Sequence, residues 1–347
     1  MNMHGFKQQV HINGYSDDED DYFPIFFNDL EKISDIEFYL SPDNIQWKKI
    51  KLKDLHIEDA SYSSFYDGLK IYKVPVLKNT YFKLSYTETC SELKMLSSLY
   101  MKRSIRTDTI ENIVNISKPL IFSWYFAQQD TTYKVTTDSS NLNGTISYIF
   151  RSVFPKSKPP AGKMKCSELI YCLVHLPDKT PQQELNTWFL LLIKPVTGIN
   201  DETKNELKKI TNGISDTVEM VKSIFDFVKT SVSYIDIEAD YGAWQPRKAD
   251  NILTAKKGDC KDMANLIYQF LQWTKIESYL GIMPTIAHAD DFVFPSLSCA
   301  NHAICCARID SKWYFLDATD KKHEFNTPRN IRREEQFFVF QIKNHFN

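Results

Sequence analysis

The sequence lacks the regular cysteine spacing of a disulfide framework or a zinc site. Its seven cysteines are an odd number, and no two of them form a C-x-x-C pair. Such a set argues against a disulfide framework and against a zinc cage, since both need grouped cysteines. Cys305 and Cys306 are adjacent, so on a strand they point to opposite faces and cannot chelate one ion together. The sequence therefore predicts at least one unpaired thiol, no metal site and no cofactor.

Long apolar runs and an excess charge of one sign are also missing. No run approaches the ~20 residues needed to span a bilayer, and residues 1–15 lack the apolar core of a secretory signal. The 42 basic and 44 acidic residues leave a net charge of -2. This balance gives no electrostatic case for nucleic acid or an anionic membrane. The chain as given is predicted to have no transmembrane segment, no signal peptide and no nucleic-acid partner.

The sequence does contain enough apolar material for a core. Hydrophobic residues make up 43% of the 347 residues, and this length favours two domains of roughly 100 to 200 residues each. Up to Pro177, short alternating segments such as Tyr81–Tyr86 follow one another, which is typical of half-buried antiparallel strands. We therefore expect a β-rich, sandwich-like N-terminal domain over residues 1–177.

Helical periodicity begins just after this point. Thr180-Pro181-Gln182-Gln183 combines a capping residue, a proline suited to the first helical turn and a capping-box glutamine. Apolar residues between 215 and 228 recur at helical spacing and predict a second helix. Strands are predicted at Tyr279–Met283, His302–Ile309 and Lys312–Asp317. The predicted fold of residues 178–347 is therefore α+β.

Cys260 opens one of the predicted helices. Asp259 before it is a good N-cap and Asp262 takes the third helical position, so the thiol falls at the first. Apolar residues from Met263 to Leu271 follow at helical spacing and anchor the helix in a core. At a helix N-terminus the positive end of the dipole favours thiolate, which is the nucleophile. A lone cysteine is more often buried and inert, so position alone does not establish a nucleophile.

A nucleophilic cysteine needs a histidine base and a group that orients the imidazole. The candidates are His302, in Asn-His-Ala, and Asp317, in Leu-Asp-Ala-Thr. If Asp310-Ser311 is a two-residue hairpin turn, Asp317 is a same-face diagonal neighbour of His302, and the two side chains meet. A three-residue loop would place them on opposite faces. Each residue alone has an ordinary structural interpretation, but together with Cys260 they favour catalysis.

Three motifs carry a resemblance to a known family. They are Gly258-Asp-Cys-Lys-Asp-Met-Ala264, Asn301-His-Ala303 and Trp313-Tyr-Phe-Leu-Asp-Ala-Thr319. The segment from about 215 to 319 resembles the transglutaminase-like superfamily, whose core is similar to that of papain-like cysteine peptidases. It is most similar to a bacterial branch in which this domain follows an N-terminal β-domain of unknown function, and Gln245-Pro246 also fits that branch.

The resemblance implies Cys260 as the nucleophile, His302 as general base and then acid, and Asp317 as the group that orients the imidazole. The thiolate would attack a carboxamide or peptide carbonyl, and water or an amine would resolve the thioester. The oxyanion needs fixed donors: the backbone N–H of Cys260 is the first candidate and the Gln245 amide the second. Trp244 is a candidate wall of the cleft. Ordinary loop packing explains Trp244 and Gln245 equally well.

The sequence therefore predicts a cysteine peptidase, amidase or transglutaminase-like acyltransferase, with hydrolysis of a peptide or amide bond favoured over crosslinking. The alternatives are a catalytically silent module that binds a polypeptide or glycan, and an enzyme that transfers the acyl group to an amine. A peptide or protein substrate is the expected partner, and the branch often has a further downstream β-domain. The resemblance favours a periplasmic or cell-envelope location, although the chain as given has no export signal.

Overall fold

The chain divides into two units, each built from more than one segment. The computed structural model describes residues 6–16, 21–51, 57–59, 70–102, 106–126, 134–154, 169–235, 243–285, 294–327 and 338–340. One unit comprises Met1–Ser64, Gly68–Pro181 and Phe294–Ser298, and the other comprises Phe65–Asp67, Gln182–Val293 and Cys299–Asn347. A division into two continuous domains near Pro177 stays a prediction. Cys166 lies outside the described residues.

The first unit is built from strands whose residues alternate between core and surface. In the first strand every second residue, beginning with Phe6, is buried. The strands are β1 (Phe6–Ser16), β2 (Asp21–Phe27), β3 (Glu31–Ser41), β4 (Lys48–Lys49), β5 (Ile57–Asp59), β6 (Lys70–Val76), β7 (Thr80–Cys90), β8 (Ser98–Tyr100), β9 (Thr107–Ser117), β10 (Ile121–Tyr125), β11 (Lys134–Leu142), β12 (Thr145–Val153) and β13 (Leu169–His175).

Antiparallel pairing organises these strands into sheets. Seven strands form one sheet in the order β11-β12-β9-β1-β7-β3-β4. Two three-stranded sheets have the orders β10-β13-β8 and β2-β6-β5. Fully buried phenylalanines such as Phe38 and Phe82 lie in one apolar cluster, and Phe150 lies in another. The predicted antiparallel, β-rich character is confirmed.

The second unit combines helices with a sheet. The helices are α1 (Pro181–Ile193), α2 (Asp201–Thr211), α3 (Thr217–Ser231), α4 (Ala249–Ala255) and α5 (Cys260–Trp273). The strands are β14 (Ser233–Tyr234), β15 (Lys257–Gly258), β16 (Ser278–Met283), β17 (His302–Ile309), β18 (Lys312–Leu316) and β19 (Phe338–Phe340). Strands β18-β17-β16-β19 form an antiparallel sheet, and β14 pairs with β15 in parallel. The α+β fold class is confirmed. No helix in the described ranges is long and apolar enough to cross a bilayer.

Helix α5 packs against β17 and carries Cys260 at its start. The sequence predicted a helix with one apolar face, but every residue from Lys261 to Leu271 is buried. Helix α5 can be buried on all its faces because its polar side chains have hydrogen-bond partners. Asn265 Nδ2 donates to the backbone oxygen of Arg247 at 2.9 Å, and Gln269 Nε2 donates to Asn265 Oδ1 at 3.0 Å. Buried polar groups that are paired in this way carry little penalty.

Candidate active site

Cys260 occupies the first position of α5, as predicted from the sequence. Asp259 caps the helix: its Oδ1 accepts a hydrogen bond of 3.0 Å from the backbone N–H of Asp262. Gly258 precedes the cap because a Cβ there would lie 2.9 Å from Cβ of Asp262. The six described cysteines are all free thiols, and among them only Cys260 is not buried. The Gly-Asp-Cys sequence thus places an accessible thiol at a fixed helix N-terminus.

His302 and Asp317 meet across the hairpin of β17 and β18. Its turn is the two-residue Asp310-Ser311, in which both residues have positive φ, 48° and 66°, as a type I′ hairpin turn requires. With this register, His302 Nε2 lies 2.9 Å from Asp317 Oδ2. The condition on which the sequence prediction depended, a two-residue turn, is therefore met.

The same imidazole also hydrogen-bonds to Cys260. Because Nε2 faces Asp317, the ring nitrogen left for the sulfur is Nδ1. The side chains of Cys260, His302 and Asp317 therefore form one continuous hydrogen-bonded series. This is the order of groups that nucleophilic catalysis by a thiol requires.

The protonation states of His302 and Asp317 depend on the hydrogen bonds and charges around them. Burial lowers the pKa of His302, but hydrogen bonds and charge interactions with Asp317 and Cys260 outweigh burial and raise this pKa to about 10. For Asp317, burial raises the pKa, yet hydrogen bonds from His302 and His323 hold it well below its usual range. The geometry therefore favours an imidazolium beside a carboxylate at neutral pH.

An open cleft of about 220 Å³ lies over Cys260 and His302. Aromatic side chains of Phe189, Tyr234 and Trp244 line it. The structure therefore places Trp244 in the cleft wall. Tyr234 and Phe189 were not predicted as cleft residues, because they come from separate elements that only the fold brings together.

Gln245 is not among the residues that line this cleft. Its Nε2 donates a hydrogen bond of 2.6 Å to the backbone oxygen of Leu192, near the end of α1. This bond joins residues 53 positions apart, so no local sequence signal announces it. The oxyanion role of Gln245 stays a prediction that this contact does not support.

Two charged neighbours of Cys260 also line the cleft. Lys261 Nζ forms a buried ion pair with Asp259 Oδ2. Burial raises the pKa of the Asp259 carboxyl, and the charge of Lys261 only partly offsets that rise. The cleft thus has apolar walls and a charged pair beside the thiol.

Within the described part of the chain, no group of three or more His, Cys, Asp or Glu is placed to hold a metal ion.

The loop that carries Trp244 is tied to α5 through Arg247. The backbone N–H and the Nε of Arg247 donate to the Asp262 carboxylate at 2.7 and 2.8 Å, and Nη2 lies 2.6 Å from Asp262 Oδ2. The side chain of Asp262 is 1% exposed. The sequence pattern indicates only a helix-cap position for Asp262 and gives no signal of this ion pair. The ion pair connects the cleft wall to the helix that carries the thiol.

Replacing Arg247 by methionine should lower the free energy of unfolding by about 3 kcal/mol, because the buried Asp262 carboxylate loses its partner. Arg308→Met is a matched control: Arg308 lies 3.7 Å from Glu277, with side chains 44% and 49% exposed. Such an exposed pair contributes less than about 1 kcal/mol. Urea denaturation of both variants measures the difference. Equal losses would contradict the anchoring role of Arg247.

The chain is similar to known proteins in sequence pattern and in fold. The model of the transglutaminase-like superfamily matches residues 205–318. The crystal structure of a "putative protease" from Parabacteroides distasonis has a TM-score of 0.60 at 16% identity, covering 86% of this chain and 60% of that one. A "putative cysteine protease" from Cytophaga hutchinsonii, also 16% identical, has a TM-score of 0.28 and coverages of 92% and 78%. No curated protein matches the chain at a significant level.

The chain thus spans 60% of the length of the Parabacteroides distasonis protein. At that identity the similarity shows the shared fold. The family match covers α3, α5 and the β17–β18 hairpin, and therefore includes Cys260, His302 and Asp317. Residues 205–318 therefore form a transglutaminase-like domain.

Proposed function

We propose that this chain catalyses cysteine-dependent acyl transfer, in which a peptide or amide bond is hydrolysed through a thioester on Cys260. The observation that carries the proposal is the hydrogen-bonded series of Cys260, His302 and Asp317. Cys260 and His302 both face an open cleft. A nucleophile, a base and an orienting carboxylate at one cleft are the groups that acyl transfer needs.

The first half-reaction makes the thioester. The Cys260 thiolate adds to the carbonyl carbon of the substrate, and the carbonyl oxygen takes the negative charge. When the carbonyl re-forms, the C–N bond breaks and the His302 Nδ1–H gives its proton to the leaving amine. The amine departs, and the acyl group stays on the sulfur.

The second half-reaction releases the acyl group. His302, now neutral, takes a proton from a water molecule as that water adds to the thioester carbonyl. Collapse breaks the C–S bond, releases the carboxylic acid and returns the thiolate beside the imidazolium. An amine in place of water would give transfer instead of hydrolysis.

The oxyanion of both half-reactions needs a donor near the sulfur. The backbone N–H of Cys260 lies at the first position of α5, where no earlier turn of the helix supplies a carbonyl to it. This N–H and the positive end of the helix dipole favour a negative oxygen there. The amide of Gln245 already donates to Leu192, so the proposal does not depend on it.

The aromatic cleft favours an acyl group with apolar surface over a highly charged one. The fold similarity to the Parabacteroides distasonis protein fits a peptide bond as the substrate. Hydrolysis is favoured because water needs no binding site of its own. A defined amine acceptor would need one.

The fate of the thioester tests the proposal. The protein is mixed with p-nitrophenyl acetate, and the release of nitrophenol and the mass of Cys260 are followed with and without glycine amide. We expect that Cys260 becomes acetylated and that water then hydrolyses this thioester, with little acetylglycine amide formed. If most of the acetyl group is transferred to glycine amide, the proposed reaction is acyl transfer to an amine and not hydrolysis. A protein that is never acetylated at Cys260 would contradict both.

A further inference from the structure

A second histidine lies against the carboxylate that orients His302. His323 Nδ1 is 3.4 Å from Oδ2 of Asp317 and 3.2 Å from the backbone oxygen of the same residue. His302 Nε2 approaches Oδ2 at 2.9 Å. Two imidazoles therefore share one carboxylate oxygen, and only His302 lines the cleft.

We propose that His323 is a positioning residue, whose Nδ1–H holds the Asp317 carboxylate in the orientation that the His302 imidazole needs. The inference rests on the proposed function, because it concerns the same series of side chains. His323 acts through Asp317 and does not touch the substrate.

The direction of this hydrogen bond follows from its acceptors. The backbone oxygen of Asp317 can only accept, so Nδ1 of His323 carries the hydrogen. The other carboxylate oxygen, Oδ1, accepts from Thr319 Oγ1 at 2.6 Å and from the Thr319 backbone N–H at 3.2 Å. With both oxygens restrained, the carboxylate cannot turn away from His302.

The other nitrogen of His323 argues against a purely stabilising role. Nε2 is buried and has no hydrogen-bond partner within the described segments, and the whole residue is 3% exposed. An unpaired buried polar atom costs free energy that an apolar side chain of similar size would not. Stability alone would favour such an apolar residue at this position. What histidine adds is a donor to Asp317.

The turn that presents His323 is held at three points. The backbone N–H of His323 donates to the Asp320 oxygen at 2.9 Å, and Lys229 Nζ of α3 donates to the His323 oxygen at 3.0 Å. The ring of Phe325 packs edge-on against Phe225 of α3, with ring centroids 5.9 Å apart. Because the turn is restrained, the Nδ1–H of His323 is already in place before the reaction begins. No further side-chain freedom has to be lost to position it.

Charge around the ring does not alter this role. The charged or titratable groups around the ring include Asp317 and Asp320 in its own segment, Lys229 and its partner Asp226 on α3, and His302 on β17. The hydrogen bond that His323 donates to Asp317 raises the pKa of His323. Both the neutral and the protonated ring can supply the Nδ1–H, so positioning survives titration of His323.

Three substitutions separate the donor from the shape of the side chain. Asparagine at position 323 places its Nδ2 where histidine has Nδ1. Leucine has almost the shape of asparagine without a donor, and glutamine moves the donor one carbon further out. The probe is iodoacetamide, and the measurement is the rate at which Cys260 is alkylated between pH 5 and 9, read by mass spectrometry.

We expect His323→Asn to react within about twofold of the wild type. His323→Leu and His323→Gln should react about tenfold more slowly at pH 6, with profiles displaced upward by about one pH unit. For p-nitrophenyl acetate, kcat should fall in His323→Leu while KM stays unchanged. The melting temperature of all three should stay within about 3 °C of the wild type.

An unchanged rate in His323→Leu would overturn the inference, as would equal losses in the leucine and asparagine variants at unchanged melting temperature. If the leucine variant does not fold, equal rates in the asparagine and glutamine variants would overturn it. His302→Ala is measured alongside. A loss in His302→Ala without one in His323→Leu refutes only the role of His323, whereas no loss in His302→Ala refutes the proposed function.

Discussion

Cys260→Ala should reduce the turnover of p-nitrophenyl acetate to the uncatalysed rate, a loss of at least about a thousandfold. Alanine removes the only group in the hydrogen-bonded series that can form the thioester, and the remaining imidazole, whose raised pKa keeps it mainly protonated, is a poor nucleophile in its place. The fold should survive, because Cys260 is a half-buried residue at a helix end whose cap is Asp259. Nitrophenol release and the melting temperature measure the two effects.

Cys306→Ala is the control for a cysteine that the mechanism does not use. Cys306 is fully buried in β17, and burial raises the pKa of its thiol well above the usual range. This variant should keep its turnover and lose some stability, because alanine leaves a small cavity. If turnover in Cys260→Ala is close to that of Cys306→Ala, Cys260 is not the nucleophile.

Asp317→Asn should slow the same reaction on the order of a thousandfold, the second largest effect that we expect. The amide has the shape of the carboxylate but no charge, so it no longer stabilises the imidazolium at Nε2 of His302. It also places an N–H group beside ring nitrogens that need an acceptor. Both changes favour the wrong tautomer and charge of His302. The kcat for p-nitrophenyl acetate measures the loss.

Asp310→Asn is the matched control for this change. Asp310 lies in the turn of the same hairpin with a φ of 48°, a conformation that asparagine adopts as readily as aspartate. Its carboxylate has no part in the Cys260, His302 and Asp317 series. We expect wild-type turnover. A similar loss in both variants would indicate damage to the hairpin rather than to the charge of Asp317.

Much of this site could be predicted from the sequence because its signals are local. Asp259 and Asp262 mark a helix start, and that start puts Cys260 at the first position. The meeting of His302 with Asp317 required one further fact, the length of the turn between them. Strand alternation and helical periodicity likewise predicted the α+β class, since both reflect which residues must be buried.

Other parts of the site could not be predicted because they depend on contacts between distant segments. Gln245 reaches Leu192 on α1, and Arg247 reaches Asp262 on α5. His323 turns back onto Asp317 because its segment is held against α3 by Lys229. No period or cap marks such contacts. A partial signal existed on α5, where polar residues recur at 262, 265 and 269 on one face of a buried helix.

The pH dependence of Cys260 alkylation by iodoacetamide, in the wild type and in His302→Ala, tests the central claim most directly. The raised pKa of His302 means that the imidazolium is favoured beside its partners up to about pH 10. An imidazolium beside Cys260 promotes attack of the sulfur on an electrophile below neutral pH. We predict fast alkylation of wild-type Cys260 at pH 5 to 6, and in His302→Ala a profile that rises only near an ordinary thiol pKa of ~8.5. Identical profiles in the two proteins would contradict the account.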